Sequence, residues 1–410
     1  MTTREAYIVD AVRTPRGKGR ATGSLHATHP QILVAQLLVA LQERTGIDPR
    51  SVDDVIMGNS NGAGDHGADI ARQSVLAAGW PIEAPGLTVN RFCGSGQQSV
   101  MLAAMGIRSG FQDCVVAGGI ESMSRTTSDG WMTLDGKNPL LRERFEIVPQ
   151  GISADLIATI EGFSREELDK LAVASQERAA LAINEGRFER SIIPVKNPDG
   201  SIALAVDEHP RAGTTLASLG GLAPAFAEMG ATHYPDYPKS FDQMCCDAYP
   251  EVTSISHVHH AGNSSGVVDG ASALLVTSQA YAEANGLTPR ARVVMTAVAG
   301  TEPIIMLTAP TPASSLVLEK AGMKASDIDL WEINEAFAAV LAKTMRDLNL
   351  DHDNVNVNGG AMALGHPIGA TGGMLIGTAL DELERRDAST ALIAMCTGGG
   401  MGTATIIERV

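Results

Sequence analysis

Aromatic side chains are scarce in this sequence: three tryptophans, five tyrosines and eight phenylalanines among 410 residues. Alanine, glycine and aliphatic residues must build the core instead, a mixture suited to close packing of helices on a sheet. Cysteine is scarce too, with five residues, an odd number without framework spacing. That argues against a disulfide-stapled scaffold and for a reducing compartment. Basic residues are outnumbered, 31 Lys and Arg against 47 Asp and Glu, for a net charge of −16. General nucleic-acid binding is disfavoured, and an anionic ligand needs a local basic cluster. No apolar run reaches membrane-spanning length. The opening Met1-Thr2-Thr3-Arg4-Glu5-Ala6 lacks the apolar stretch of a signal peptide. The expected compartment is the cytoplasm. A chain of 410 residues is too long for one compact core and suits two or three domains.

What the sequence does have is α/β alternation. Residues 6–12 read as a strand, and 30–45 as an amphipathic helix with Ile32, Ala35, Leu38 and Leu41 on one face. A strand at 52–57 and a helix at 69–78 follow. A short β-type run then leads from Leu87 into Cys93, and the spacing predicts a helix over 99–109. The strand at 114–117 ends in Gly118-Gly119. This is a parallel-sheet pattern. From Ser122 to about Ser265 glycine, proline and charge rise. Two helices stand out there, 164–185, opened by the capping box Ser164-Arg165-Glu166-Glu167, and a shorter one at 215–222. The remainder reads as loops and cover that carry substrate recognition.

The last part of the chain echoes the first. Asp327-Ile328-Asp329-Leu330-Trp331-Glu332-Ile333-Asn334 resembles Val52-Asp53-Asp54-Val55-Ile56-Met57-Gly58-Asn59. Val355-Asn356-Val357-Asn358-Gly359-Gly360 stands where Val89-Asn90-Arg91-Phe92-Cys93-Gly94 stands, and the strand at 391–395 matches that at 114–117. Three matches in one order point to a duplicated α/β half, with the irregular segment inserted late in the first copy.

Reactive side chains sit at the turns. Cys93 lies at a strand-to-helix turn beside Gly94 and Gly96. A helix N-terminus favours an anion, so its thiol is expected to ionise more readily than a free cysteine. His366 precedes Pro367 among glycines at the equivalent turn of the second copy, where proline fixes the backbone. Cys396 opens Cys396-Thr397-Gly398-Gly399-Gly400, whose exposed amides can stabilise an oxyanion. Asn334 ends a strand, as a helix N-cap or as the holder of a water or carbonyl. Open α/β sheets bind ligands at the carboxyl ends of their strands. A Cys/His pair with a second thiol suits acyl transfer through a thioester. Other signals are weak. Gly94-Ser95-Gly96-Gln97-Gln98-Ser99 lacks the third glycine of a dinucleotide fingerprint. Cys245-Cys246 are not at zinc spacing, and His257, His259 and His260 are better read as support for the Asn263 loop than as metal ligands.

On these residues the chain resembles the thiolase family over nearly its whole length. The matching segments are Asn90-Arg91-Phe92-Cys93-Gly94-Ser95-Gly96, Gly118-Gly119-Ile120-Glu121-Ser122-Met123-Ser124, Ala261-Gly262-Asn263-Ser264-Ser265-Gly266, Asn334-Glu335-Ala336-Phe337-Ala338, Gly365-His366-Pro367-Ile368-Gly369 and Cys396-Thr397-Gly398-Gly399-Gly400-Met401-Gly402. The last forty residues especially resemble the thiolase subunit of bacterial β-oxidation multienzyme complexes.

The resemblance implies an α/β fold of duplicated halves, layered α-β-α-β-α, with an inserted loop domain. Its expected division is 1–121 for the first half, 122–266 for the CoA-recognition insertion, 267–289 for the return, and 290–410 for the second half. It implies thiolysis of 3-ketoacyl-CoA in fatty-acid β-oxidation, with CoA a co-substrate and no cofactor or metal. Cys93 would be the acylated nucleophile, His366 its activator and Cys396 the acid/base. A water held by Asn334, with His366, would form one oxyanion hole, and the N–H groups of Cys93 and Gly398 the other. Arg211 and Ser218 match contacts to the CoA nucleotide, and Ser265 one to pantetheine. The implied partners are acyl-CoA and CoA, with no nucleic acid, a homodimer or homotetramer, and a hydratase/dehydrogenase α-subunit. One departure stands out: an extra stretch at 231–257 with Tyr234, Tyr237, Cys245, Cys246 and Tyr249, too apolar to be a free surface loop. The competing readings are a biosynthetic acetoacetyl-CoA thiolase, a decarboxylating condensing enzyme, and a non-catalytic scaffold or lipid carrier. Cys396 argues against the second, and joint retention of Cys93, His366, Cys396 and Asn334 against the third.

Overall fold

The computed structural model describes residues 4–126 and 134–410. Residues 1–3, part of the opening read above, and 127–133, part of the insertion, lie outside the described residues.

The first half runs β1 (Ala6–Arg13), β2 (Gly17–Lys18), α1 (Pro30–Thr45), β3 (Asp54–Gly58), α2 (Ile70–Ala77), β4 (Leu87–Val89), α3 (Ser95–Ser109) and β5 (Cys114–Ser122). Helix α1 starts where Pro30 supplies a helical φ and the His29 ring accepts from the Gln31 N–H. It ends at Gly46, whose φ of 71° is a left-handed conformation that glycine adopts at least cost. Its buried stripe is built on Leu33, Leu37 and Leu41. Ile32, expected on that face, lies one position off the stripe and is exposed. Helix α3 begins at Ser95, earlier than the expected Ser99, with Gly94 as its N-cap. Cys93 is therefore tighter against the helix end than its sequence suggests.

The insertion holds α4 (Pro139–Arg144), α5 (Gln150–Glu161), α6 (Arg165–Asn184), β6 (Val195–Lys196), β7 (Ile202–Leu204), α7 (Leu216–Gly220), α8 (Ala227–Gly230) and α9 (Phe241–Ala248). The capping box of α6 is formed as expected, with Ser164 and Glu167 each bonding the other's backbone N–H. Helices α5 and α9 replace expected loops. Helix α5 is buried along a run from Gly151 to Ala158, so it shows no polar face by which to recognise it.

The chain returns through β8 (Val268–Ser278) and α10 (Gln279–Ala284). The second half is β9 (Ala291–Gly300), α11 (Pro310–Ala321), β10 (Leu330–Ile333), α12 (Ala338–Asp347), α13 (Ala361–Leu364), α14 (Thr371–Arg386), β11 (Thr390–Thr397) and β12 (Met401–Arg409).

The main sheet is ordered β10-β11-β12-β9-β1-β8-β5-β3-β4, with β2 paired to β8. Its two halves mirror each other about the antiparallel β1–β9 pair. Strands β3 and β5 are parallel, as are β10 and β11. Strand β8 joins β5 and β1 antiparallel, as β12 joins β11 and β9. Val355 even bridges β10 in parallel, as β4 pairs with β3. This is the duplication legible in the sequence.

Three main cores hold the five layers together. Helices α1 and α2 cover the first half through Leu33, Leu37, Val75, Val55 and Leu275. Helices α3 and α14 fill the middle, where Val100, Ile107, Ile376 and Leu380 meet Ile8 and Val115 from one half and Val293 and Ile393 from the other. Helices α11 and α12 cover the second half, joined by Ile152 and Leu156 of the insertion. Among the described residues no helix is long and apolar enough to cross a membrane.

Candidate active site

The Cys93 turn is wound tightly. Phe92 has a φ of 47°, a left-handed conformation costly for a side-chain-bearing residue. Three hydrogen bonds hold it there. The Phe92 N–H donates to Asn90 Oδ1 at 2.8 Å, Ser95 Oγ donates to the Phe92 carbonyl at 2.6 Å, and the Arg91 N–H donates to Ser95 Oγ at 2.9 Å. Cys93 itself is only 4% exposed. Its sulfur is hydrogen-bonded by the Gln150 side chain and the Gly398 backbone N–H. The expected easy ionisation does not hold. Burial pushes the thiol up to about 11, outweighing these donors and the helix end. Cys93 therefore rests protonated near neutral pH, and a base must take its proton before the sulfur can react.

The His366 turn is pressed onto the same place. The Gly369 carbonyl lies where a Cβ on Gly96 would be 2.5 Å away and one on Gly119 1.9 Å away. Only glycine permits that approach. The Gly369 N–H donates at 3.0 Å to Glu121, a buried carboxylate that also accepts from the Ser60 N–H and hydroxyl at 2.9 and 2.7 Å. One carboxylate thus ties the turns of both halves together. Within this frame His366 Nδ1 is 2.6 Å from Thr371 Oγ1, whose own proton goes to the Pro367 carbonyl at 2.9 Å. The hydroxyl therefore accepts from Nδ1–H, and Nε2 keeps its lone pair. Burial, with Arg16 nearby, lowers the imidazole to about 3, so it is neutral.

Asn334 is not an N-cap, since α12 begins at Ala338 behind Phe337. Its Nδ2 lies 3.4 Å from His366 Nε2, while its Oδ1 is buried without a hydrogen-bond partner. Cys396 stands on β11 opposite Gly402, fully buried. Burial first, and then the neighbouring Cys93 sulfur, push its thiol up. A cavity of about 110 Å3 opens on Cys93. Its walls include Ser60, Asn61, Phe92, Gln150, Ile368 and Tyr234.

Residues 6–242 match the thiolase N-terminal domain and residues 287–409 the thiolase C-terminal domain. The chain belongs to the thiolase family. It is therefore an acyltransferase acting on acyl-CoA and CoA. The chain is 39% identical to the 3-oxoadipyl-CoA/3-oxo-5,6-dehydrosuberyl-CoA thiolase of Escherichia coli, over 99% of this chain and 100% of that one. It is 40% identical to the steroid 3-ketoacyl-CoA thiolase FadA6 of Mycobacterium tuberculosis, over 99% and 94%. The crystal structure of the Bacillus anthracis acetyl-CoA acetyltransferase superposes with a TM-score of 0.83 at 35% identity, covering 100% of this chain and 99% of that one.

The remaining expected site residues of this thiolase lie apart from the Cys93 cavity. Arg211 and Ser218 are exposed on the insertion. The Arg211 N–H donates to Gln176 Oε1 at 2.8 Å, and Ser218 Oγ donates to the Thr215 carbonyl at 2.8 Å, within the α7 capping box. The Ser265 N–H donates to the Ala336 carbonyl at 2.9 Å, which fixes its loop against the Asn334 segment. His260 and Asn263 share Asp169, at 2.8 and 2.9 Å, and His257 and His259 share Asp155, at 2.8 and 2.7 Å. These histidines support the loop. Sequence reasoning missed Gln150, Glu121 and Thr371 as parts of the site. Glu121 lay inside a recognised segment; Gln150 carries no periodic or motif signal.

Proposed function

We propose that this thiolase cleaves 3-ketoacyl-CoA with CoA to give acetyl-CoA and a shortened acyl-CoA, the closing step of a fatty-acid β-oxidation cycle. The supporting observation is the Cys93 thiol under the Gly398 N–H, with the buried Cys396 thiol beside it. His366 Nε2 takes the Cys93 proton, and the sulfur attacks the 3-keto carbon. The Cys93 and Gly398 N–H groups receive the developing oxyanion. The bond between the 2 and 3 carbons breaks, and Cys396 gives its proton to the released carbanion, forming acetyl-CoA. Raised by burial, that thiol is still protonated when the carbanion needs it. The Cys396 thiolate then takes the proton of incoming CoA, whose sulfur attacks the acyl-Cys93 thioester. Cys93 leaves and regains its proton from His366. A water on the unpaired Asn334 Oδ1, with His366 Nε2–H, would hold the thioester oxygen of the acetyl unit. Every step balances without a metal or a further cofactor, and run backwards it is a Claisen condensation.

Arg211 and Ser218 would meet the CoA nucleotide and Ser265 the pantetheine arm. We place the enzyme in the cytoplasm as a homodimer or homotetramer, with a hydratase/dehydrogenase α-subunit as partner if it serves β-oxidation. The small cavity also favours a second reading, condensation of two acetyl units to acetoacetyl-CoA, which uses the same groups in reverse.

The test is the loss of the magnesium-enolate absorbance of acetoacetyl-CoA, dependent on free CoA. Mass spectrometry after exposure to acetyl-CoA should find the acetyl group on Cys93, and Cys93→Ser should lose both signals. No CoA-dependent loss, or a label on Cys114 or Cys396 instead, refutes the assignment.

A further inference from the structure

The 231–257 segment is anchored in the fold by part of its side chains. Phe241, Met244 and Cys245 are buried in the same core as Ile152 and Leu156 of α5. Tyr234 goes further and reaches the Cys93 cavity. It is held from several sides. Its hydroxyl donates to the Ile147 carbonyl at 2.8 Å. Its ring stands edge-on to Phe241 at 4.9 Å between centroids. The Arg142 guanidinium lies 4.0 Å from its ring centroid and is itself fixed by Asp135, at 2.8 and 2.6 Å, and by Asp236. A ring held this way does not swing aside for a longer ligand.

The space left is small. An apolar cavity of about 150 Å3 is enough for benzene. The cavity on Cys93 is about 110 Å3. That volume suits an acyl group of a few carbons better than a fused ring system or a long chain. Among the described lining residues none is Lys or Arg. The nearby Arg142 already has two carboxylates. A carboxylate at the end of the acyl group would be buried there without a partner.

We propose that Tyr234 is the wall that restricts this enzyme to 3-ketoacyl-CoAs with a short, uncharged acyl group. The inference rests on the thiolysis reading above and names its substrate class. The relatives' names cover 3-oxoadipyl-CoA, steroid 3-ketoacyl-CoA and acetyl-CoA substrates. This pocket fits the last of these.

The experiment compares kcat/KM for acetoacetyl-CoA, 3-ketooctanoyl-CoA and 3-oxoadipyl-CoA in the parent, Tyr234→Ala and Tyr234→Phe. The parent should favour acetoacetyl-CoA. Tyr234→Ala should raise the 3-ketooctanoyl to acetoacetyl ratio by about tenfold or more, the scale of a methylene admitted to an apolar pocket. Tyr234→Phe, which keeps the ring, should leave that ratio as in the parent, and 3-oxoadipyl-CoA should stay poor in all three. If Tyr234→Ala does not fold, Tyr234→Leu makes the same test with an apolar side chain retained. An unchanged ratio in the folded variant, or a parent that uses 3-ketooctanoyl-CoA or 3-oxoadipyl-CoA as well as acetoacetyl-CoA, overturns the proposal and leaves thiolysis standing. A parent with no CoA-dependent turnover of acetoacetyl-CoA overturns both.

Discussion

Thr371 Oγ1 accepts the Nδ1 proton of His366 at 2.6 Å and passes its own to the Pro367 carbonyl. The first turn of α14 thereby selects the tautomer that leaves Nε2 free to act as a base. Thr371→Val keeps the shape and removes the acceptor. Acylation of Cys93 should slow by about ten- to a hundredfold, as when an orienting partner of a working histidine is lost. The thermal midpoint should fall modestly, because a buried Nδ1–H loses its acceptor, and Thr371→Ser should restore both the midpoint and most of the rate. An acylation burst as fast as the parent's in Thr371→Val contradicts a positioning role.

The protonated state of Cys93 can be read from its alkylation. With the thiol raised to about 11 and His366 lowered to about 3, both groups are neutral near pH 7. Only the thiolate reacts, so its fraction should climb about tenfold per pH unit from roughly pH 7 to 9. Iodoacetamide labelling, followed at Cys93 by mass spectrometry, should show that slope. A rate flat across the window would mean a resting thiolate–imidazolium pair.

Cys396 neighbours Cys93, and the proposed mechanism gives it a separate task. Cys396→Ala keeps Cys93 and His366, so some acylation by acetyl-CoA should persist. Exchange of the acetyl methyl protons should fall by about two to four orders of magnitude, the usual effect of removing a general base. Nuclear magnetic resonance of acetyl-CoA in deuterium oxide measures it. Parent-like exchange would exclude Cys396 as the base.

The turns were legible because each sets a reactive side chain beside glycines at a strand end. Cys93, His366 and Cys396 could be singled out that way, and the 52–59 and 327–334 echo lands on β3 and β10. What closes over the turns was not legible. The sequence shows Cys93 at a helix N-terminus, which favours the thiolate. It does not show Gln150 and Tyr234 arriving from the insertion to exclude water, and burial is the stronger effect. Helix α5 carried no periodic stripe because it is buried along most of its length. The same holds for Tyr234: its composition marked the 231–257 segment as buried, but only the fold says against what.

His257 gives the segment a pH-dependent anchor. Its ring bonds Asp155 of α5 at 2.8 Å and Asp242 of α9 at 3.1 Å, so it clamps the two helices together. The bond to Asp155, and then that to Asp242, raise the imidazole above its usual value despite partial burial. A histidine raised in the folded state stabilises fully below its unfolded pKa of about 6.5. That contribution is lost as pH rises through the folded value. The parent's thermal midpoint should therefore fall between roughly pH 6 and pH 9 by more than that of His257→Gln, which cannot charge. At the acid end the variant should be less stable by about 1.5 to 3 kcal/mol, the scale of a hydrogen bond to a charged group. His259, on the other oxygen of Asp155, remains in both proteins and keeps that carboxylate paired. Chemical denaturation at several pH values decides the matter, and curves that run parallel for parent and variant would show that the clamp does not depend on His257 being charged.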